Sequence, residues 1–197
     1  MNLPNRLTIL RIFFVPIICL VWLFPYEQFD ISLGYLYLLN VSIPIINIIV
    51  LTLFCIASIT DFFDGNIARK NNLVTTFGKF ADPIADKLLI NSTLIIMCYK
   101  HMIPLVPVIL MILRDTVVDA CRMMAAQKGE VVSAGILGKI KTVLQIVTII
   151  VVLLNNFPFE LLYLPVSNIL VWFTAFVSVA GGYSYFMQSK KYIFESM

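Results

Sequence analysis

Long unbroken apolar runs constrain this chain more than any other feature. The stretches LTILRIFFVPIICLVWLF (7–24) and ILVWFTAFVSVAGGYSYFM (169–187) are examples. Crossing ~30 Å of hydrocarbon takes roughly 20 residues of helix, and a helix satisfies its own backbone polar groups there. The chain has 197 residues, 60% of them hydrophobic, with a mean hydropathy of +0.96. That exceeds the share in a soluble domain and what a core of this length can enclose. The runs are continuous, not alternating, so a transmembrane barrel is excluded. The expected fold is an all-α, polytopic membrane protein of a single domain, 1–197. Six helices are predicted, near Leu7–Phe24, Leu33–Asp64, Asp82–Tyr99, Ile103–Ala126, Lys139–Leu154 and Pro165–Met187. The first part of the second, Leu33–Val41, reads as a loop or an interfacial piece broken at Pro44.

Charge fixes an expected orientation. Every Lys and Arg except Lys100 can lie on one side, with Glu27, Asp30 and Glu160 on the other. The positive-inside rule then puts both termini in the cytoplasm. The amino-terminal apolar segment is expected to stay as a helix, because a cleavage site needs small residues after it and no alanine precedes Ala57. Cys19, Cys55, Cys98 and Cys121 are widely spaced in apolar surroundings and form no C-x-x-C pair, which suits small core residues better than zinc ligands. His101 is the only histidine. Catalysis must therefore come from carboxylates, and no nucleic-acid partner is expected.

Those carboxylates cluster. The segment DFFDGNIARKNNLVTTFGKFADPIAD (61–86) has the form D-x-x-D-G-x-x-A-R-x8-G-x3-D-x3-D. Ionisable groups at a membrane boundary are costly unless paired, hydrated or bound to a cation. Four nearby acids raise one another's pKa, and a divalent cation is the simplest way to keep them ionised. Asp61, Asp64, Gly65 and Ala68 fall at i, i+3, i+4 and i+7, one helical stripe, and Asp82 and Asp86 form a second pair, with Gly78 one turn earlier. An all-oxygen set suits Mg²⁺ or Mn²⁺, and two cations would suit in-line displacement at phosphorus. Two blander readings compete. Asp82 before Pro83 could be an N-cap followed by proline at the first helical position, and Asp61 and Asp64 could pair with Arg69 or Lys70.

This pattern resembles the signature of the CDP-alcohol phosphatidyltransferases, matching every defined position. The opening MNLPNRLTILRI, the extended ARKNNLVTTFGKFADPIADKLL and the later GILGKIKTVLQ are similar to the bacterial branch that uses glycerol-3-phosphate. The resemblance implies a multi-pass enzyme of the bacterial cytoplasmic membrane, a homodimer, with its site facing the cytoplasm. The implied reaction takes CDP-diacylglycerol and glycerol-3-phosphate to phosphatidylglycerophosphate and CMP. It also implies roles. Asp61 and Asp82 would contact two divalent cations, Asp64 one, and Asp86 the other while acting as general base. Gly65 and Arg69 would hold the CDP portion, Thr75 would lie near its phosphates, and Asn5, Thr8 and Arg11 would complete the nucleotide side.

A second charged group occupies ILRDTVVDACRMMAAQKGEVVSAGILGKIK (112–141). Arg114, Asp115, Val118, Asp119 and Arg122 fall on one face of the fourth helix, and Lys139 and Lys141 open the fifth. One reading is internal pairing, Asp119 with Arg122. The other is an anion pocket for the acceptor's phosphate, made by Arg114, Arg122, Lys139 and Lys141. Relatives acting on glycerol-3-phosphate often carry Arg-Glu and a threonine where this chain has Arg114-Asp115 and Asp119. The same chemistry with inositol phosphate, serine or phosphatidylglycerol is the alternative. A cation transporter is a further one, but transporters bind ions near the midplane, and here the acids gather at one side.

Overall fold

The computed structural model describes residues 3–70, 75–127 and 135–194, with side chains throughout except at 3–4, 61–70, 76, 79–80, 127 and 191–194. Among the described residues there are six α-helices: α1 (Leu3–Leu23), α2 (Ile45–Lys70), α3 (Thr76–Tyr99), α4 (Leu105–Gln127), α5 (Ile136–Leu153) and α6 (Val166–Phe194). Three stretches are long and apolar enough to cross a membrane by length and composition: Asn5–Leu23, Ile136–Leu153 and Val166–Lys190; Ile45–Thr60 is a shorter apolar helix. The protein is an all-α membrane protein.

The starts of the second and third helices differ most from the sequence reading, for local reasons. The segment expected to begin the second helix forms an antiparallel hairpin, β1 (Tyr35–Leu38) with β2 (Val41–Pro44), before α2 starts at Ile45. Gly34 enters it at φ +72°, a conformation that costs glycine little. Pro44, lacking an N–H, sits at the strand's last position, where none is needed for the ladder. The third helix starts six residues earlier than Asp82. Thr75 is its N-cap, its Oγ1 accepting from the Gly78 N–H at 3.0 Å. The reading of Asp82 as N-cap is thereby corrected: Asp82 and Pro83 lie inside α3.

Polar side chains inside the helices are mostly satisfied locally or pairwise. Thr52, Thr93 and Thr116 each donate to the carbonyl four residues earlier, as helix-borne hydroxyls do in apolar surroundings. Thr148 and Thr174 join α5 to α6 at 2.9 Å. Outward-facing positions are apolar: Leu20 is 71% exposed and Phe176 70%. Such a surface would be an association hazard in water and is the expected one against lipid.

The helices form two triplets. Among the described residues α1 packs chiefly on α2 and α3, α6 packs chiefly on α4 and α5, and the triplets touch along α3–α4, α3–α5 and α2–α5. Trp22, Phe54, Leu94, Met97, Met111, Ile149 and Val171 make one continuous core across both. Close packing matters here, because lipid gives no hydrophobic drive for helices to associate. The arrangement brings the start of α1, α3 and α5 to the end of the bundle where α4 carries Arg114 to Arg122.

Candidate active site

The first part of the site lies where α1 meets α3. Asn5, Thr8 and Arg11 point into the bundle and are buried. Thr8 Oγ1 donates to Asp82 Oδ1 at 2.5 Å, the short distance of a hydroxyl bonded to a carboxylate. Asn5 Oδ1 accepts from Thr75 Oγ1 at 2.8 Å. Arg11 Nε donates to the carbonyl of Ala57 at 3.4 Å, one turn before Asp61. These α1 residues therefore fasten the cap of α3, the carboxylate of Asp82 and the turn of α2 that leads into the signature.

Gly78 is buried in that corner and lets the chains approach closely. A Cβ there would stand 3.3 Å from Thr75 Oγ1, 3.4 Å from Asn5 Oδ1 and 3.7 Å from Asp82 Oδ2. Oxygens of three side chains thus crowd the Gly78 Cα. Asp82 is the carboxylate among them, an oxygen donor of the kind a hard divalent cation takes, and among the described residues no group of three or more His, Cys, Asp or Glu side chains gathers here. Asp61, Asp64, Gly65 and Arg69 lie on the last turns of α2, which is helical through Lys70. Their side chains lie outside the described residues.

The second part is a cavity of about 220 Å³ between α3, α4 and α5. From α3 it is lined by Asp86, Lys87 and Asn91; from α4 by Arg114, Asp115, Asp119 and Arg122; from α5 by Lys139, Lys141, Thr142 and Gln145. Counting Lys87, Arg114, Arg122, Lys139 and Lys141 against Asp86, Asp115 and Asp119, five cations oppose three carboxylates. The excess is two positive charges.

The four basic residues singled out from sequence divide into two kinds. Lys141 and Asp115 are both buried, and Lys141 Nζ donates to the two oxygens of Asp115 at 2.6 and 2.5 Å. Arg114 shares that carboxylate through Nη1 at 3.0 Å and sends Nε to the carbonyl of Ser178 on α6 at 3.0 Å. Arg122 and Lys139 are exposed. Arg122 donates Nη2 to the Tyr185 hydroxyl at 2.9 Å. Among the described residues Lys139 has no ion pair. Buried charges of one carboxylate with two cations are mutually compensated, so Arg122 and Lys139 are the freer donors.

The expected pairing of Asp119 with Arg122 does not form. Asp119 pairs instead with Lys87 on α3, because the α3–α4 contact brings that ammonium closer than the neighbour one turn along α4. Lys139 does not begin α5 but lies in its first turn, after the N-cap Gly135.

Sequence reasoning missed Lys87, Asn91, Gln145 and Tyr185. Gln145 had a readable signal, an amide one turn beyond Lys141 in an otherwise apolar run. Tyr185 had none, since aromatic residues are frequent in this chain.

The described residues thus form a helical membrane bundle with Asp82 and Thr75 held by α1 at one end, beside a cationic cavity. The chain belongs to the CDP-alcohol phosphatidyltransferase family, whose model matches residues 1–180. This family generally uses divalent metals. The chain is 43% identical over 188 residues to the CDP-diacylglycerol–glycerol-3-phosphate 3-phosphatidyltransferase of Bacillus subtilis, covering 95% of each chain. It is 38% identical to the protein of that name from Rickettsia bellii and 40% to that from Rickettsia felis, each over 192 residues and 97% of both chains.

Proposed function

We propose that this protein transfers the phosphatidyl group of CDP-diacylglycerol to glycerol-3-phosphate, giving phosphatidylglycerophosphate and CMP. One observation carries the reading: Asp86, the last aspartate of the signature, lines the same cavity as Arg122 and Lys139. A base and an anion-holding pair thus share one small space. A phosphomonoester brings about 1.5 to 2 negative charges at neutral pH, and the cavity's excess of two positive charges matches it. Serine, with no net charge, would leave that excess uncompensated.

The residues then divide the work. Arg122 and Lys139 hold the acceptor's phosphate, with Arg114 and Lys141 adding positive potential through Asp115. The acceptor's hydroxyl oxygen attacks the β-phosphorus of CDP-diacylglycerol. The new P–O bond forms as the bond from that phosphorus to the bridging oxygen breaks, and CMP departs with the bonding electrons. Asp86 takes the hydroxyl proton, the ordinary task of a positioned carboxylate. Thr8 and Asn5 keep Asp82 and Thr75 in place on the nucleotide side, where Gly65, Arg69 and Arg11 complete the CDP contacts. Asp61, Asp64, Asp82 and Asp86 would hold two divalent cations, Mg²⁺ or Mn²⁺, which when bound offset the charge of the diphosphate and of departing CMP. The enzyme is a multi-pass protein of the bacterial cytoplasmic membrane, crossing six times with both termini and the site on the cytoplasmic side. Thirteen of the basic residues on one side of the predicted crossings support that orientation.

The deciding experiment supplies purified protein with CDP-diacylglycerol and glycerol-3-phosphate, inositol phosphate, serine, phosphatidylglycerol or glycerol, and follows CMP release. Glycerol-3-phosphate is expected to give the highest kcat/KM. Equal turnover with glycerol or serine would overturn the acceptor assignment.

A further inference from the structure

Helix α6 contributes no residue to the lining of the cavity, yet it touches both arginines that do. Ser178, Gly181, Gly182 and Tyr185 fall at i, i+3, i+4 and i+7, one face of the helix. The Ser178 carbonyl accepts from Arg114 Nε at 3.0 Å. A Cβ on Gly182 would stand 2.6 Å from Arg114 Cγ, and one on Gly181 would stand 3.1 Å from Arg114 Nη2 and 3.3 Å from Leu137 Cβ on α5. Cγ is close to the backbone of α4 and cannot swing away as the tip of a long side chain can. The two glycines thus form a slot that Arg114 occupies along its length. One turn further, the Tyr185 hydroxyl accepts from Arg122 Nη2 and from the Gly135 N–H, each at 2.9 Å. Its ring lies under both guanidinium groups, 5.0 Å from Arg122 Cζ and 5.9 Å from Arg114 Cζ, within reach of a cation–π contact.

We infer that α6 is the positioning element for acceptor recognition: the Gly181–Gly182 slot sets Arg114, and through Asp115 it sets Lys141, while Tyr185 sets Arg122 and the start of α5. The proposal rests on the acceptor reading given above. These residues touch no substrate; they act through the cations. Altering them should therefore weaken acceptor binding and leave the donor side and the chemical step alone.

The test measures kcat and both KM values by CMP release for Tyr185→Phe, Gly182→Ala, Arg122→Gln and Arg114→Ala, and for the pairs Tyr185→Phe/Arg122→Gln and Gly182→Ala/Arg114→Ala. Tyr185→Phe keeps the ring and removes the oxygen that accepts from Arg122 Nη2 and from the Gly135 N–H. It should raise the KM for glycerol-3-phosphate roughly three- to thirtyfold, with kcat and the KM for CDP-diacylglycerol within about twofold of the unsubstituted protein. In the Arg122→Gln background the same change should add less than it costs alone, the remainder acting through the Gly135 N–H at the start of α5. Gly182→Ala should show the same split. Should Gly182→Ala fail to accumulate, removing Cγ with Arg114→Ala should restore a folded protein, as read by its melting temperature in detergent. An unmoved acceptor KM in Tyr185→Phe, full additivity of the pairs, or a Gly182→Ala protein that Arg114→Ala does not rescue would overturn the proposal. Where the unsubstituted protein uses another phosphorylated alcohol, the same split is read with that acceptor. Turnover confined to unphosphorylated acceptors would overturn the acceptor reading and this proposal together, whereas normal use of glycerol-3-phosphate without the split overturns the role of α6 alone.

Discussion

Asp86 follows Asp82 by one turn on α3 and reaches the cavity that holds Arg122 and Lys139. Asp86→Asn keeps the size of the side chain but cannot take a proton. It should cut kcat by at least the 10²–10⁴-fold typical of a lost general base, while CDP-diacylglycerol still binds, measured by retention of labelled lipid. Near-normal CMP release would remove Asp86 from that role. The aspartates were readable from sequence because helical spacing alone puts them on shared faces. Their partners were not. Thr8 meets Asp82 across 74 positions, and Arg122 meets Tyr185 across 63. Such contacts depend on which helices pack together, which no local pattern encodes. The same limit hid the partner of Asp119: its neighbour Arg122 along α4 was visible in the sequence as one possible partner, and Lys87 on α3 was not.

At the level of elements, the start of α3 is the most informative case. Thr75 both caps α3 and donates to Asn5 on α1, so one hydroxyl ties a helix end to its neighbour. Thr75→Ala should lower stability by about 0.5–2 kcal/mol, and each kcal/mol corresponds to a fall of roughly 2–4 °C in melting temperature for a chain of this length. Thr75→Ser should restore most of it. An unchanged melting temperature for the alanine variant in detergent would show that the cap contributes nothing. The sequence reading weighed only Asp82 as a cap, because proline follows it, and did not consider Thr75. Pro83 is instead tolerated inside the helix, where membrane helices often accommodate proline. The hairpin was hidden for a related reason. Its strands are as apolar as the helix that follows, and short apolar runs do not distinguish strand from helix by periodicity.

For the molecule as a whole, activity should vanish on treatment with a chelator and return with Mg²⁺ or Mn²⁺, while Zn²⁺ should restore it poorly at an all-oxygen site. Full CMP release in metal-free buffer would overturn the two-cation assignment. The membrane class and the concentration of charge at one end were legible because hydropathy and charge add along the chain; the grouping of helices was not, because every helix offers lipid and protein an equally apolar surface. That grouping has an evolutionary meaning. The first three helices carry the whole signature, and α4 and α5 carry four of the five cations of the cavity, with limited contact between the two sets of three. Mutations that reshape the second triplet need not disturb the first. With the cavity holding the acceptor as proposed, substitutions confined to α4 and α5 would change the alcohol that is used and leave the signature helices untouched.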